Sequence, residues 1–381
     1  MKIKDIRLKP LFSKFKKPYV WAMGKNLGQI TILVEIETEE GIIGYGETAP
    51  TFASPQAIYS ILKNVKPIII GKSVTQILDL MKQIFTNSFG HHYLSQSHPR
   101  IGNIAFSGVE LALWDTLGKS VGLPVHSLLG GKLNETVSFM GFVQGDTTEE
   151  IATHANQLAK EGYEVIYLKV GRTNKQDIAN VKAVRKAIGS KRLRIDPNEA
   201  WDLMEAQLMI QRLAKFDLEM VEQPVSAIAG APALKALKQS CSVPIAADQS
   251  VFIPEEAHAI CSSGAVSLLT VGLHETGGIL GFRRVSAIAH IFDINVCIHG
   301  VLETGITTCA SIQAASGVPN MDDGNQIMWQ LLEEDIVETP DLIPRAGKIS
   351  VMDNPGLGFI LNEDAVGRAS EAYHKKKIYL V

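Results

Sequence analysis

Beyond about residue 135 the chain alternates strand and helix without a break, and this constrains its fold more than any other feature. Apolar, β-rich runs stand at Val137–Phe142, Val165–Val170, Leu193–Asp196, Met220–Glu222, Ile245–Asp248, Ser267–Val271 and Asn295–His299. Between them lie amphipathic stretches such as Glu149–Lys160, Asp177–Ile188 and Gly277–His290, each long enough for the crossover that parallel strands require. Seven such units in one run predict an α/β barrel of the TIM type over a doubly wound sheet. A dinucleotide-binding sheet would need a Gly-x-Gly-x-x-Gly after a strand, and the chain has none.

The first third reads differently. Ile30–Thr38 and Ile42–Glu47 form a hairpin around the turn Glu39-Glu40-Gly41, and residues 54–127 are helical, ending in the amphipathic run Phe106–Lys119. Strands followed by helices predict a separate α+β unit, and the glycines at 122, 130 and 131 place the boundary near residue 132. A chain of 381 residues has material for two such units. Its net charge of −3 provides no field for nucleic acid or an anionic membrane, so a small molecule is the expected partner. Four scattered cysteines without metal spacing read as buried thiols of a reducing compartment. With no signal-peptide pattern and no long apolar run, a cytoplasmic location is expected. A homo-oligomer is also expected.

Position arithmetic carries the functional reading. Lys169, Asp196, Glu222 and Asp248 each close a proposed strand, at spacings of 27, 26 and 26 residues, one βα unit apiece. In a barrel these strand ends form one rim. Any single acid there would serve as a helix cap, but three in register after apolar residues would be costly without a cation. Oxygen donors without Cys or His select Mg2+, or Mn2+ in its place, over zinc.

The segments Gly44-Tyr-Gly-Glu-Thr48, Ala112-Leu-Trp-Asp115, Leu128-Leu-Gly-Gly131, Asp196-x-Asn198-x-x-Trp201, Glu222-Gln-Pro224, Ala247-Asp248, Gly277-Gly278 and Pro355-Gly-Leu-Gly358 occur in this order. By them the sequence resembles the mandelate racemase/muconate lactonizing enzyme group of the enolase superfamily over nearly its whole length. The resemblance implies a modified TIM barrel, (β/α)7β, over residues 133–354. It also implies an N-terminal α+β capping domain over residues 1–132, completed by the tail from about 355 to 381. Further, it implies Mg2+ held by Asp196, Glu222 and Asp248, and removal of the proton α to a substrate carboxylate to give a metal-stabilised enolate.

The acid/base residues depart from the family pattern. Relatives carry Lys-x-Lys on the second barrel strand, where this chain has Tyr167-Leu168-Lys169. The position that holds a Lys or Asp on the sixth strand is Gly272, and Gln249 stands where Glu is common. His274 or Glu275 could stand in for the missing group, although the stretch from Gly272 to Gly278 reads as a solvated loop. On the seventh strand His299, with Glu303 four residues on, resembles the mandelate racemase spacing, but its sixth-strand carboxylate partner is absent. Lys169 and His299 are therefore the expected acid/base pair, one on each face of the enolate.

That arrangement suits a racemase, epimerase or cycloisomerase. A dehydratase of a hydroxy-carboxylate or acid sugar is the alternative, and a metal-binding homologue without enolisation activity is the rival from another class. For the substrate, the basic and aromatic stretch Lys16–Lys25 offers Tyr19, Trp21 and Lys25, and Thr48–Phe52 offers Phe52. Tyr167, Asn198 and Glu303 beside the rim complete the expected substrate-binding set. The pair His91-His92 reads as surface.

Overall fold

The computed structural model describes residues 1–51, 53–90 and 99–375. Phe52 and His91-His92 lie outside the described residues. The amino-terminal unit is built on a three-stranded antiparallel sheet, β1 (Ile3–Trp21), β2 (Gly24–Thr38) and β3 (Ile43–Thr48). Helices α1 (Pro55–Lys63), α2 (Ile77–Phe89) and α3 (Pro99–Val121) follow. Alternation along β2 buries Ile32, Val34 and Ile36, which join Phe106, Val109 and Leu113 of α3 in one apolar core. Close approach of helix and sheet requires Gly46 and Gly108, where a Cβ would meet the facing backbone at 2.0 and 2.7 Å.

The stretch Lys16–Lys25 is the far end of the β1–β2 hairpin. Register runs from Ile3 opposite Thr38 to Trp21 opposite Gly24. The hairpin holds its shape beyond the cap because Phe15 and Tyr19 are buried against the barrel residues Phe142 and Tyr167.

The barrel strands are β5 (Gly141–Phe142), β6 (Val165–Lys169), β7 (Arg192–Asp196), β8 (Met220–Glu222), β9 (Ile245–Ala247), β10 (Leu268–Val271) and β11 (Asn295–Ile298). They pair in sequence order, all parallel. The expected first strand, Val137–Phe142, is divided: β4 (Thr136–Ser138) pairs antiparallel with β13 (Lys348–Ser350), and only its end enters the barrel. Between the strands lie α4 (Thr148–Lys160), α5 (Asn174–Ile188), α6 (Leu203–Leu213), α7 (Gly230–Ser240), α8 (Pro254–Ser263), the single turn α9 (Leu273–Thr276), α10 (Ile279–Ile291) and, after β11, α11 (Gly305–Ala315). Residues 320–326 then close the barrel. Their backbone bonds Val296 and Ile298 on one side and Met140 on the other, at 2.8–2.9 Å. This gives seven βα units and a final β segment, a parallel α/β barrel with a separate strand-rich cap.

Arg194 fixes that closing segment. Fully buried, it pairs with Glu219 and Asp322 at 2.6 Å each and donates to the Gly324 carbonyl. The small strands β12 (Val337–Thr339) and β14 (Ile360–Leu361) follow, and then α12 (Glu363–Lys375), which packs on β1 of the cap. Of the four thiols expected to be buried, Cys241 is partly exposed and the other three are buried. Among the described residues no helix is long and apolar enough to cross a membrane.

Candidate active site

Side chains two apart on a strand point the same way. Tyr167 and Lys169, Arg194 and Asp196, and Met220 and Glu222 therefore line the barrel interior in pairs, the second member of each at the strand end. Asp248 and His299 come one residue past β9 and β11, where the chain turns outward. Gln223 holds that turn: its Oε1 accepts from the Asp248 and Ser250 amides, and its own backbone is left-handed at φ 29°. All three acids are fully buried.

Three charged carboxyls at close quarters cannot all be comfortable. Burial pushes the Glu222 carboxyl up to about 7, with Asp196 adding like-charge repulsion, and holds Asp248 well above the ordinary carboxylate range. Both Asp248 oxygens are buried without a hydrogen-bond partner. Such a pair of orphaned oxygens fits a hard cation.

The remaining oxygens have partners. Tyr167 donates its hydroxyl to Asp196 at 2.5 Å and lies 3.2 Å from Glu222. Gln326 Nε2, on the closing segment, reaches Glu222 Oε1 at 3.1 Å and the Tyr167 oxygen at 3.2 Å. Lys169 forms an ion pair with Asp196 and donates to Asn198 at 2.6 Å. Burial alone would lower the Lys169 pKa, but Asp196 and Glu222 outweigh it and hold the ammonium above the usual lysine range. Among the described residues, the group of potential ligand atoms lying within 4.8 Å of one another comprises Glu222, Asp248 and His299. The expected third member, Asp196, is turned to Lys169 and Tyr167.

The stretch after Gly272, expected as a solvated loop, is the buried turn α9. Glu275 is fully buried and accepts from His299 Nδ1 at 2.8 Å. His274 is buried between Ser107 of α3 and Thr307 of α11, and burial drives its pKa down to about 3, so it is a neutral strut between cap and barrel. For His299 burial acts in the same direction, but Asp248 and Glu275 overcome it and raise the imidazole to about 10.

One cavity lies at this rim. It is lined by Lys169, Asn198 and His299 on the rim, by Tyr19 and Trp21 of the hairpin, and by Phe142, Leu302 and Met328. Thr51, Gln249 and Gln326 supply further polar edges. Tyr167 and Glu303 lie beneath the surface: Glu303 accepts from the Val301 and Met328 amides, and burial pushes its carboxyl up to about 8. Lys25 falls outside the cavity, exposed at the hairpin tip and paired with Asp146 at 2.9 Å. The reason is the hairpin itself, whose alternation turns Tyr19 and Trp21 inward and carries Lys25 out on the returning strand.

Comparison with known proteins agrees with this architecture. Residues 6–130 match the mandelate racemase/muconate lactonizing enzyme N-terminal domain, and residues 150–365 match the enolase C-terminal domain-like family. An L-Ala-D/L-Glu epimerase of Bacillus subtilis is 30% identical over 375 residues, covering 94% of this chain and 97% of its own. A muconate cycloisomerase of Acinetobacter lwoffii is 30% identical over 363 residues, covering 92% of each. The crystal structure of a muconate lactonizing enzyme from Pseudomonas fluorescens complexed with muconolactone superposes with a TM-score of 0.88 at 27% identity, covering 97% of this chain and 99% of that one. The chain therefore belongs to the mandelate racemase/muconate lactonizing enzyme group of the enolase superfamily and is an enzyme of the isomerase class.

Proposed function

We propose that this protein is a Mg2+-dependent isomerase that removes the proton α to a substrate carboxylate and either returns it, as a racemase or epimerase, or, as a cycloisomerase, lets the enolate expel a β-carboxylate and open a lactone, the reverse direction closing the ring and putting the proton back. The observation that carries the reading is the pair of Asp248 oxygens without hydrogen bonds, buried within 4.8 Å of Glu222 and of His299, which lines the cavity together with Lys169. Asp196, Glu222 and Asp248 would hold the ion. We retain Asp196 over His299 because a hard cation prefers carboxylate oxygen, and His299 Nδ1 already serves Glu275. When bound, the ion supplies the positive charge that a dianionic enolate needs.

The chain's own residues do the rest. Lys169 at the end of β6 and His299 just past β11 are separated around the closed barrel by β5 and the closing segment and line the same cavity, so each addresses a different side of a substrate between them. Each gives up or takes a proton at its side-chain nitrogen. Asn198 holds the Lys169 ammonium in place, and Tyr167 and Gln326 hold Asp196 and Glu222. Tyr19, Trp21, Phe142, Leu302 and Met328 form the apolar wall that excludes water and receives an apolar or ring portion of the substrate.

The test is α-proton exchange. Protein with Mg2+ in D2O is incubated with a panel of carboxylates that includes dipeptides and lactones of the muconolactone type, and deuterium at the α-carbon is followed by NMR. Incorporation into one chemical class supports the reading, and none across the panel overturns it.

A further inference from the structure

We propose that Glu275 is the positioning residue of His299, gripping the imidazole through Nδ1 and aiming the ring at the cavity, and that Gly272 is bare of a side chain to make room for that carboxylate. The proposal rests on the acid/base role given above to His299.

The geometry begins at the end of β10. Gly272 is the residue before α9, and Glu275, the third residue of that turn, folds its carboxylate back over the turn's start. Its Oε2 accepts from the Gly272 amide at 3.1 Å and from His299 Nδ1 at 2.8 Å. Glu275 has no exposed surface, and its carbonyl is tied to Asn103 of α3 at 2.8 Å. The neighbouring His274 pins the turn between Ser107 and Thr307. The turn is therefore fixed by its neighbours, and the carboxylate is held through Oε2, its Oε1 being buried without a hydrogen bond.

A Cβ at position 272 would lie 2.5 Å from Glu275 Oε2. The backbone there is ordinary, at φ −98°, so space and not conformation requires glycine. The same number has a second meaning. Standard bond lengths put a carboxylate oxygen of aspartate about 2.4 Å from its own Cβ. The oxygen of Glu275 thus stands at the distance from that Cβ at which an aspartate at 272 would hold its own, reached from three residues further along the chain.

Asp248 is the competing partner, since its Oδ1 lies 3.1 Å from the same Nδ1. That contact lacks hydrogen-bond geometry, and neither Asp248 oxygen has a hydrogen-bond partner. An Asp248 committed to a cation has no charge to spare for His299, whereas Glu275 stays where it is. A carboxylate on Nδ1 sets the tautomer, leaving Nε2 for the cavity.

The experiment uses the full chain with 15N-labelled histidine. The Nδ1–H signal of His299, assigned by its loss in His299→Asn, is recorded with and without Mg2+ in the wild type and in Glu275→Gln. A downfield Nδ1–H proton that survives Mg2+ and disappears in Glu275→Gln supports the proposal. A proton that disappears with Mg2+ and survives in Glu275→Gln identifies Asp248 as the partner and overturns it. The paired kinetic arm compares Glu275→Ala with Gly272→Asp/Glu275→Ala. Exchange at the His299 face should fall about 100-fold in the single variant and recover at least tenfold in the double. Equal loss at both faces in Glu275→Ala, with no recovery in a folded double variant, contradicts a positioning role. A wild type without α-exchange would defeat the proposed function alone, and the Nδ1–H signal would still decide the Glu275 contact.

Discussion

Mg2+ should raise the melting temperature of this protein in proportion to the logarithm of its concentration. The unfolded chain scatters Asp196, Glu222 and Asp248 and cannot hold the ion, so binding stabilises only the folded state. At one hundred times the dissociation constant that stabilisation is about 2.7 kcal/mol. An unfolding entropy of roughly 2.1 cal/mol/K per residue gives about 0.8 kcal/mol/K for 381 residues. The expected rise is therefore about 3 °C at that concentration and about 1.7 °C for each further tenfold. Asp248→Asn removes the charge from the two oxygens that lack hydrogen bonds and brings an amide N–H into the place of one, so its curve should move at least tenfold towards higher Mg2+. Differential scanning calorimetry across a Mg2+ series reads both effects. A flat melting temperature through millimolar Mg2+, or curves unchanged in Asp196→Asn, Glu222→Gln and Asp248→Asn alike, would refute the site.

Glu47 offers a test outside the reaction centre. It is buried, accepting from Thr307 and Thr304, and burial raises its carboxyl to about 7 despite those bonds. The folded state therefore binds a proton more tightly than the unfolded chain, and stability should fall by about 3 kcal/mol as pH rises from ~4.5 to ~7. Glu47→Gln should flatten that part of the profile in urea unfolding, and an unchanged slope would contradict the assignment. Lys25→Ala should change stability by less than about 1 kcal/mol, since its partner Asp146 is equally exposed, and should leave substrate KM unaltered. A tenfold rise in KM would put Lys25 back in the site.

The legible part of this molecule was the part that repeats. Strand ends one βα unit apart can be counted, and the count singles out Lys169, Asp196, Glu222 and Asp248, with His299 added by the family resemblance. Pairwise commitments inside the site could not be counted. Tyr167 reads as a substrate contact or a lost lysine, yet it spends its hydroxyl on Asp196 and Glu222. Gln326 was missed because residues 320–326 have no β-rich pattern; only the requirement that a barrel close would have assigned them. Phe142 and Met328 were missed for a similar reason, since an apolar residue at a strand end or in a loop reads as core until the hairpin is laid over it. Glu275 is legible as a stand-in for the missing sixth-strand group, but its burial is not, because glycines on both sides of a charged stretch signal a loop. Its burial depends on α3 of the other unit, about 170 residues away in sequence, which supplies Asn103 and Ser107.

The central claim is that Lys169 and His299 serve opposite faces of one α-carbon. Stereochemically resolved α-deuterium exchange, measured on both enantiomers with Lys169→Ala and His299→Asn, tests it most directly. We expect Lys169→Ala to abolish turnover of one enantiomer, and His299→Asn to retain exchange on that same face while losing it on the other. Equal and complete loss of exchange on both faces in both variants would contradict the two-face account.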